Sequence, residues 1–228
     1  MSIPVSLMAL LLAVLFITPT IQAHGFLKTP RSRNYVHSER GGEYNPHSLN
    51  RKAGDETCGR SPSTPNYQGT NYNNWSSNTF QDTTYVSGSQ IEVEVDIRVH
   101  HMGHFTLKGC SISSGVVATQ ACFDNNVLTF VSGEGQIVDT RYPDRAYLPR
   151  IGTPGGQANY RYRFQLPRGL SGERVLLQWH YVTANSCRPL GYSGDMTQCP
   201  NPLPSNVLED PNSPGPAPEQ VSTHILFT

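Results

Sequence analysis

The sequence is short of charge and has no surplus of either sign. Only 15% of its 228 residues are charged, 17 acidic against 17 basic. No basic surface argues for nucleic acid, and no charge run marks an acidic or basic tail. It also lacks amphipathic helical stretches and tandem repeats, which argues against a helical bundle. Beyond Ala23 no stretch is apolar enough to cross a membrane. The cysteine spacings do not match a zinc ribbon or finger, which sets structural zinc aside. A sixth cysteine is missing as well: the count is 5.

Gly, Pro, Ser, Thr, Asn and Tyr fill the gap that charge leaves. That composition suits short strands joined by long ordered loops. Met1 to Ala23 holds the apolar run Leu7 to Ile17, too short to span a bilayer, followed by Thr18-Pro19-Thr20-Ile21-Gln22-Ala23. This predicts a secretory signal peptide over 1–23, although its start lacks Lys and Arg. The alternative is an uncleaved anchor or a buried helix, which the polar sequence that follows disfavours. The product is then soluble, secreted and extracellular. About 205 residues remain, enough for one domain with its own core. The boundaries are 24–220 for that domain and 221–228 for a divergent end.

The clearest strand is Gln90 to Val99. Ile91, Val93, Val95, Ile97 and Val99 alternate with Glu92, Glu94, Asp96 and Arg98, as a half-buried antiparallel strand requires. Further strands are expected at 104–107, 127–131, 136–139, 160–165 and 174–182. Residues 24–90 read as irregular, with a short helix possible over 48–53. Strands without a convincing helix predict an all-β antiparallel sandwich with long ordered loops. Asn74-Trp75-Ser76 is an N-glycosylation sequon, which makes Asn74 a candidate glycosylation site.

Cleavage after Ala23 would make His24 the first residue. It would then offer two metal-binding nitrogens, the free α-amine and the ring. The second half of such a site needs a histidine on a rigid element. Val99-His100-His101-Met102-Gly103-His104 supplies candidates at the end of the best strand. Strand alternation puts His100 and His101 on opposite faces and does not decide between them. An amine and two ring nitrogens form a T-shaped site suited to copper(II), with positions open for oxygen species. The competing reading is a polar turn rich in histidine.

His24-Gly25-Phe26-Leu27 with Pro30-Arg31-Ser32-Arg33-Asn34 resembles the start of lytic polysaccharide monooxygenases of the chitin-binding type-4 superfamily. Val99 to Phe105 is similar to that superfamily's second-histidine segment, and Leu177 to Cys187 to its penultimate core strand and exit. The resemblance implies an immunoglobulin-like or fibronectin-III-like β-sandwich whose flat face carries one copper ion per chain. It implies oxidative cleavage of glycosidic bonds in an insoluble polysaccharide such as chitin, cellulose or pectin. An external electron donor and oxygen or hydrogen peroxide would be the co-reactants, with no nucleic acid partner, and a monomer is the simplest state. His24 and His101 would be the copper ligands and catalytic centre. Gln178 is a candidate neighbour of that centre, or else a polar residue in a core strand.

The end of the chain departs from the family. After Pro216-Ala217-Pro218-Glu219-Gln220 the resemblance implies a last strand with an aromatic on the axial side of the copper, a Cys and an acidic residue. Val221 to Thr228 has no Cys or acidic residue. One expectation is a truncated C-terminus that leaves a sheet edge bare. The other is a divergent last strand in which Phe227 or His224 takes the axial neighbourhood. Cys110 with Cys122 and Cys187 with Cys199 are candidate disulfides, leaving Cys58 without a partner; sequence does not fix the connectivity. Two other functions compete. One is a non-catalytic polysaccharide-binding module in which Tyr35, Tyr44, Tyr67, Tyr72 and Trp75 stack on sugar or merely anchor loops. The other is a secreted copper-binding protein.

Overall fold

Alternation along the strands builds two sheets in the computed structural model. The structure describes residues 24–32, 35, 39, 84–100, 103–113, 118–133, 140–148, 158–172, 175–182, 184 and 220–227, with backbone alone for 24, 99 and 220–227. The elements are β1 (His24–Thr29), β2 (Gln90–Val99), β3 (His104–Ser111), α1 (Gln120–Asp124), β4 (Thr129–Gly133), β5 (Ala146–Tyr147), β6 (Ala158–Gln165), β7 (Val175–Val182) and β8 (Gln220–Phe227). One sheet has the order β1-β2-β6-β4 and the other β5-β3-β7-β8. Every pairing is antiparallel. This is the expected all-β sandwich.

Apolar residues at every second position close the two sheets on one another. From the first sheet come Ile91, Val93, Val95, Ile97, Tyr162 and Phe164, and from the second Phe105, Leu107, Leu177, Trp179 and Tyr181. Phe105 stands at the centre. Its ring lies edge-on to Tyr162 at 4.8 Å and tilted against Trp179 at 6.0 Å. Such an aromatic pair adds about 0.5–1.5 kcal/mol beyond the area it buries.

The outer face of β7 is also buried, because α1 lies over it. Thr119 caps α1, its hydroxyl accepting from the Cys122 amide at 3.3 Å. Phe123 packs with Cys110, Ala118 and Leu176 in a second, smaller cluster. The Cys110–Cys122 disulfide ties α1 to β3, as the sequence spacing suggested.

The differences from the sequence reading have local causes. β1 falls inside the stretch read as irregular. Leu27 faces the core, while Phe26 on the opposite face is covered by the Tyr35 ring, stacked at 5.1 Å. With both faces apolar, β1 shows no alternation. Helix α1 is too short to show helical periodicity and β5 too short for any. β3 runs on to Ser111, past the expected 107, and β4 begins at Thr129 rather than 127. At the C-terminal end, β8 pairs with β7 along its whole length, so that edge of β7 is covered rather than bare. Its β-branched and aromatic residues suit a strand. The expected helix at 48–53 and strand at 136–139, with residues 1–23, Cys58, Asn74, His101, Cys187 and Cys199, lie outside the described residues, as do Tyr44, Tyr67, Tyr72 and Trp75.

Candidate functional site

The β1–β2 pairing sets where His24 lies. His24 stands opposite Val99 and Gly25 opposite Ile97, so the register skips Arg98 and a bulge falls at the first step of β1. Bulges bend a strand and re-aim the chain beside them. This one brings His24 to the base of the connection that runs from β2 through His100 to Gly103.

Gly25 explains the close seat of β1. A Cβ there would lie 2.8 Å from Ile97 Cδ1, 3.0 Å from the Asp96 carbonyl oxygen and 3.3 Å from Trp179 Cη2. The backbone that follows His24 therefore rests directly on the indole edge and on β2. Side chains on the outer face add to the hold. Lys28 Nζ donates to Glu94 Oε1 at 3.0 Å, and Arg98 Nε lies 2.9 Å from Asp96 Oδ1 with its guanidinium over the Phe26 ring. Burial pushes the Asp96 carboxyl up from its ordinary pKa, against the opposing pull of Arg98 and Lys28. The Asp96–Arg98 pair offsets part of the cost of burying that carboxyl, so the close packing at Gly25 rather than charge holds β1.

His100 is turned into the protein. Its side chain is 1% exposed and its ring meets Tyr160 edge-on at 5.8 Å. Since β2 ends at Val99, strand alternation no longer governs His100. Of the two histidines that the sequence left open, His100 is packed in the interior. His101 comes next in the sequence, two residues beyond the partner of His24. Gly103 closes the connection at φ +95, a conformation suited to glycine. Among the described residues no group of three or more His, Cys, Asp or Glu side chains forms a metal cluster. The donors that would hold copper are the amine and ring of His24 with the ring of His101. That set is nitrogen-rich, as copper(II) favours, and the β1–β2 register brings the backbone of His24 to the end of β2 from which the chain runs on through His100.

Gln178 is not brought to that end. It stands opposite Lys108, four residues along β3 from His104, or about 13 Å at the usual strand rise. It lies on the outer face of its sheet, whereas Gly25 meets Trp179 on the inner one. The Gln178 amide is committed to Gln120 of α1, donating at 3.1 Å and accepting at 3.2 Å. The β8 register also separates the two residues suggested for the axial neighbourhood. Gln220 pairs with Val182 at the His24 end, His224 with Gln178, and Phe227 with Val175 at the far end. Phe227 is thus about 23 Å along the strand from Gln220. Tyr35, offered as a sugar-stacking residue or a loop anchor, covers Phe26, which fits the anchor.

His104, one of the clustered histidines and the start of the expected strand at 104–107, is buried, which the sequence did not show. Its side chain is 5% exposed and faces the Tyr147 ring at 5.9 Å. Burial foremost, then Arg145 and His180, holds its pKa well below the ordinary histidine value. Its position directly after Gly103 was the available signal, hidden by the two histidines before it.

The family model described as lytic polysaccharide mono-oxygenase, cellulose-degrading, matches residues 24–190. Among solved structures, the fold is similar to a lytic polysaccharide monooxygenase AA15 from Thermobia domestica in the Cu(I) state. The TM-score is 0.59 at 22% identity, over 90% of this chain and 98% of that one. A cellulose-active lytic polysaccharide monooxygenase, CelS2, in complex with copper gives a TM-score of 0.44 at 14% identity, over 90% and 98%. No curated protein sequence matches. The matched segment begins at His24 and takes in the second-histidine connection and both sheets up to β7, and the chain belongs to the lytic polysaccharide monooxygenase family of copper enzymes.

Proposed function

We propose that the chain is a secreted monooxygenase that binds one copper ion and cleaves glycosidic bonds oxidatively in an insoluble polysaccharide. The supporting observation is the register that sets His24 opposite Val99, at the base of the connection carrying His101. Removal of residues 1–23 would free the α-amine of His24. That amine and the rings of His24 and His101 would hold the ion. When bound, copper would supply the redox chemistry, drawing on an external reductant and oxygen or hydrogen peroxide. The chain's own residues do the positioning. Gly25 keeps the backbone close to Trp179, and His100 packs in the interior against Tyr160. Among the described residues no helix is long and apolar enough to cross a membrane. A soluble monomer acting outside the cell is the simplest form of the reading.

The test is copper(II) titration of protein secreted so that His24 is the first residue, followed by electron paramagnetic resonance. One tight, nitrogen-coordinated site is expected. It should be lost when a Met precedes His24 and lost in His101→Ala. Oxidised oligosaccharides released from chitin, cellulose or pectin would then identify the substrate. Absence of a tight site in processed, folded protein would sink the reading.

The β8 register favours a second reading, a polysaccharide-binding module without redox chemistry. Gln220, Val221 and Ser222 stand at the His24 end, where the resemblance implies an aromatic. Retained binding to insoluble polysaccharide without a nitrogen-coordinated copper spectrum would select this reading.

A further inference from the structure

The connection that would present His101 is fixed at its far end by residues the proposed function does not use. The Gly103 carbonyl accepts from the Leu148 amide at 2.9 Å. The next residue, His104, opens β3 opposite Tyr147 of β5, and their rings lie 5.9 Å apart at 52°. The segment behind β5 is itself braced. Arg145 N–H donates to the Tyr142 carbonyl at 3.1 Å, and the Arg145 guanidinium sits 3.9 Å from the centre of the Tyr142 ring. The Phe130 amide of β4 donates to the Pro143 carbonyl at 2.7 Å. Residues 142–148 therefore run from the β4 edge of one sheet to the β5 edge of the other and end on Gly103 and His104.

We infer that His104, seated against Tyr147, is a positioning residue for the copper site, setting where β3 begins and so where His101 lies relative to His24. The inference rests on the copper reading above. His104 touches neither substrate nor metal in this role; it acts through the connection. Its neighbours are Tyr147 of β5, Arg145 of the preceding turn and His180 of β7, which shares its face opposite Thr106. Burial, Arg145 and His180 keep the ring neutral, so it places no positive charge beside a bound cation.

The experiment uses the full mature chain with a free His24, stripped of metal and titrated with copper(II). His104→Ala and Tyr147→Ala should weaken binding about ten- to hundredfold, the range seen when a residue supporting a ligand is lost. Their paramagnetic resonance spectra should shift toward that of His101→Ala. His104→Gln, neutral and of similar reach, should recover part of both. Phe123→Leu loosens the packing under α1 at the other end of β3 and should lower Tm while keeping the wild-type spectrum. Wild-type affinity and spectrum in His104→Ala and Tyr147→Ala, with both lost in His101→Ala, would overturn the inference and leave the copper reading intact. Equal shifts in Phe123→Leu would overturn it too, since general loosening would then suffice. If His104→Ala does not fold, Tyr147→Ala decides. A wild-type chain without nitrogen-coordinated copper sinks the copper reading and this inference with it.

Discussion

The two halves of the candidate site are seated in opposite ways. His24 is placed by the absence of a side chain: Gly25 lets β1 lie against Ile97, the Asp96 carbonyl and the Trp179 edge. The His101 connection is placed by side chains that are present: His100 against Tyr160 on one side and His104 against Tyr147 on the other. The first seat is crowded against added volume, and the second is filled by rings. At His24 the hold comes from close backbone approach at the next residue. An internal connection has two flanks, and each is pinned by a ring.

Gly25→Ala tests the first seat and should have the largest effect. The added methyl must displace Ile97 Cδ1 and press on the Asp96 carbonyl. Overpacking of this sort costs about 1–3 kcal/mol. Thermal unfolding of metal-free protein should show that loss, and copper should bind more weakly because the start of β1 has moved. Adding Ile97→Val removes the closest contact and should return part of the stability. Unchanged Tm and affinity in Gly25→Ala would remove the contrast between the seats.

The second seat can be probed by acid. The folded-state pKa of His104 is lowered well below its unfolded value of 6.5. Below about pH 6.5 the unfolded chain takes up a proton that the folded chain refuses. Stability is therefore full above that pH and falls as pH drops toward the folded pKa, by up to about 1.4 kcal/mol per unit. Tm of metal-free protein followed from pH 7.5 to 5 should fall accordingly, and His104→Gln should flatten the curve. An equally steep fall in His104→Gln would assign the acid sensitivity elsewhere.

Much of this was legible in the sequence, for reasons that also mark where legibility ends. β2 and β6 declare themselves because one face is apolar and the other polar. Cys110 and Cys122 stand close enough in sequence to suggest their bridge. His24 and the histidine cluster were visible as residue types. What the sequence withheld was tertiary: that Tyr35 covers Phe26 and so disguises β1, that a bulge at Arg98 sets His24 opposite Val99, and that His100 turns inward while His104 is buried beside Tyr147. None of these follows from period or spacing, because each depends on a segment distant in the chain. The same holds for β8, whose composition suited a strand but whose pairing along β7 needed the fold.

Gln178 sharpens the comparison from outside both seats, with the smallest effect. Its side chain is 3% exposed yet faces α1, with both amide groups engaged by Gln120. Gln178→Leu should cost about 1 kcal/mol, since a hydrogen-bonded pair is broken and one amide is left facing an apolar group. Gln120 keeps its contact to Asp124 Oδ1 at 2.8 Å, which limits the loss. Adding Gln120→Leu removes the stranded amide and should return most of the stability. Neither change should alter copper affinity or the paramagnetic resonance spectrum, because the strand position is four residues from His104 and on the face away from Gly25. A shifted spectrum in Gln178→Leu would mean that β7 transmits packing under α1 to the His24 end, and the two seats would then be parts of one larger support.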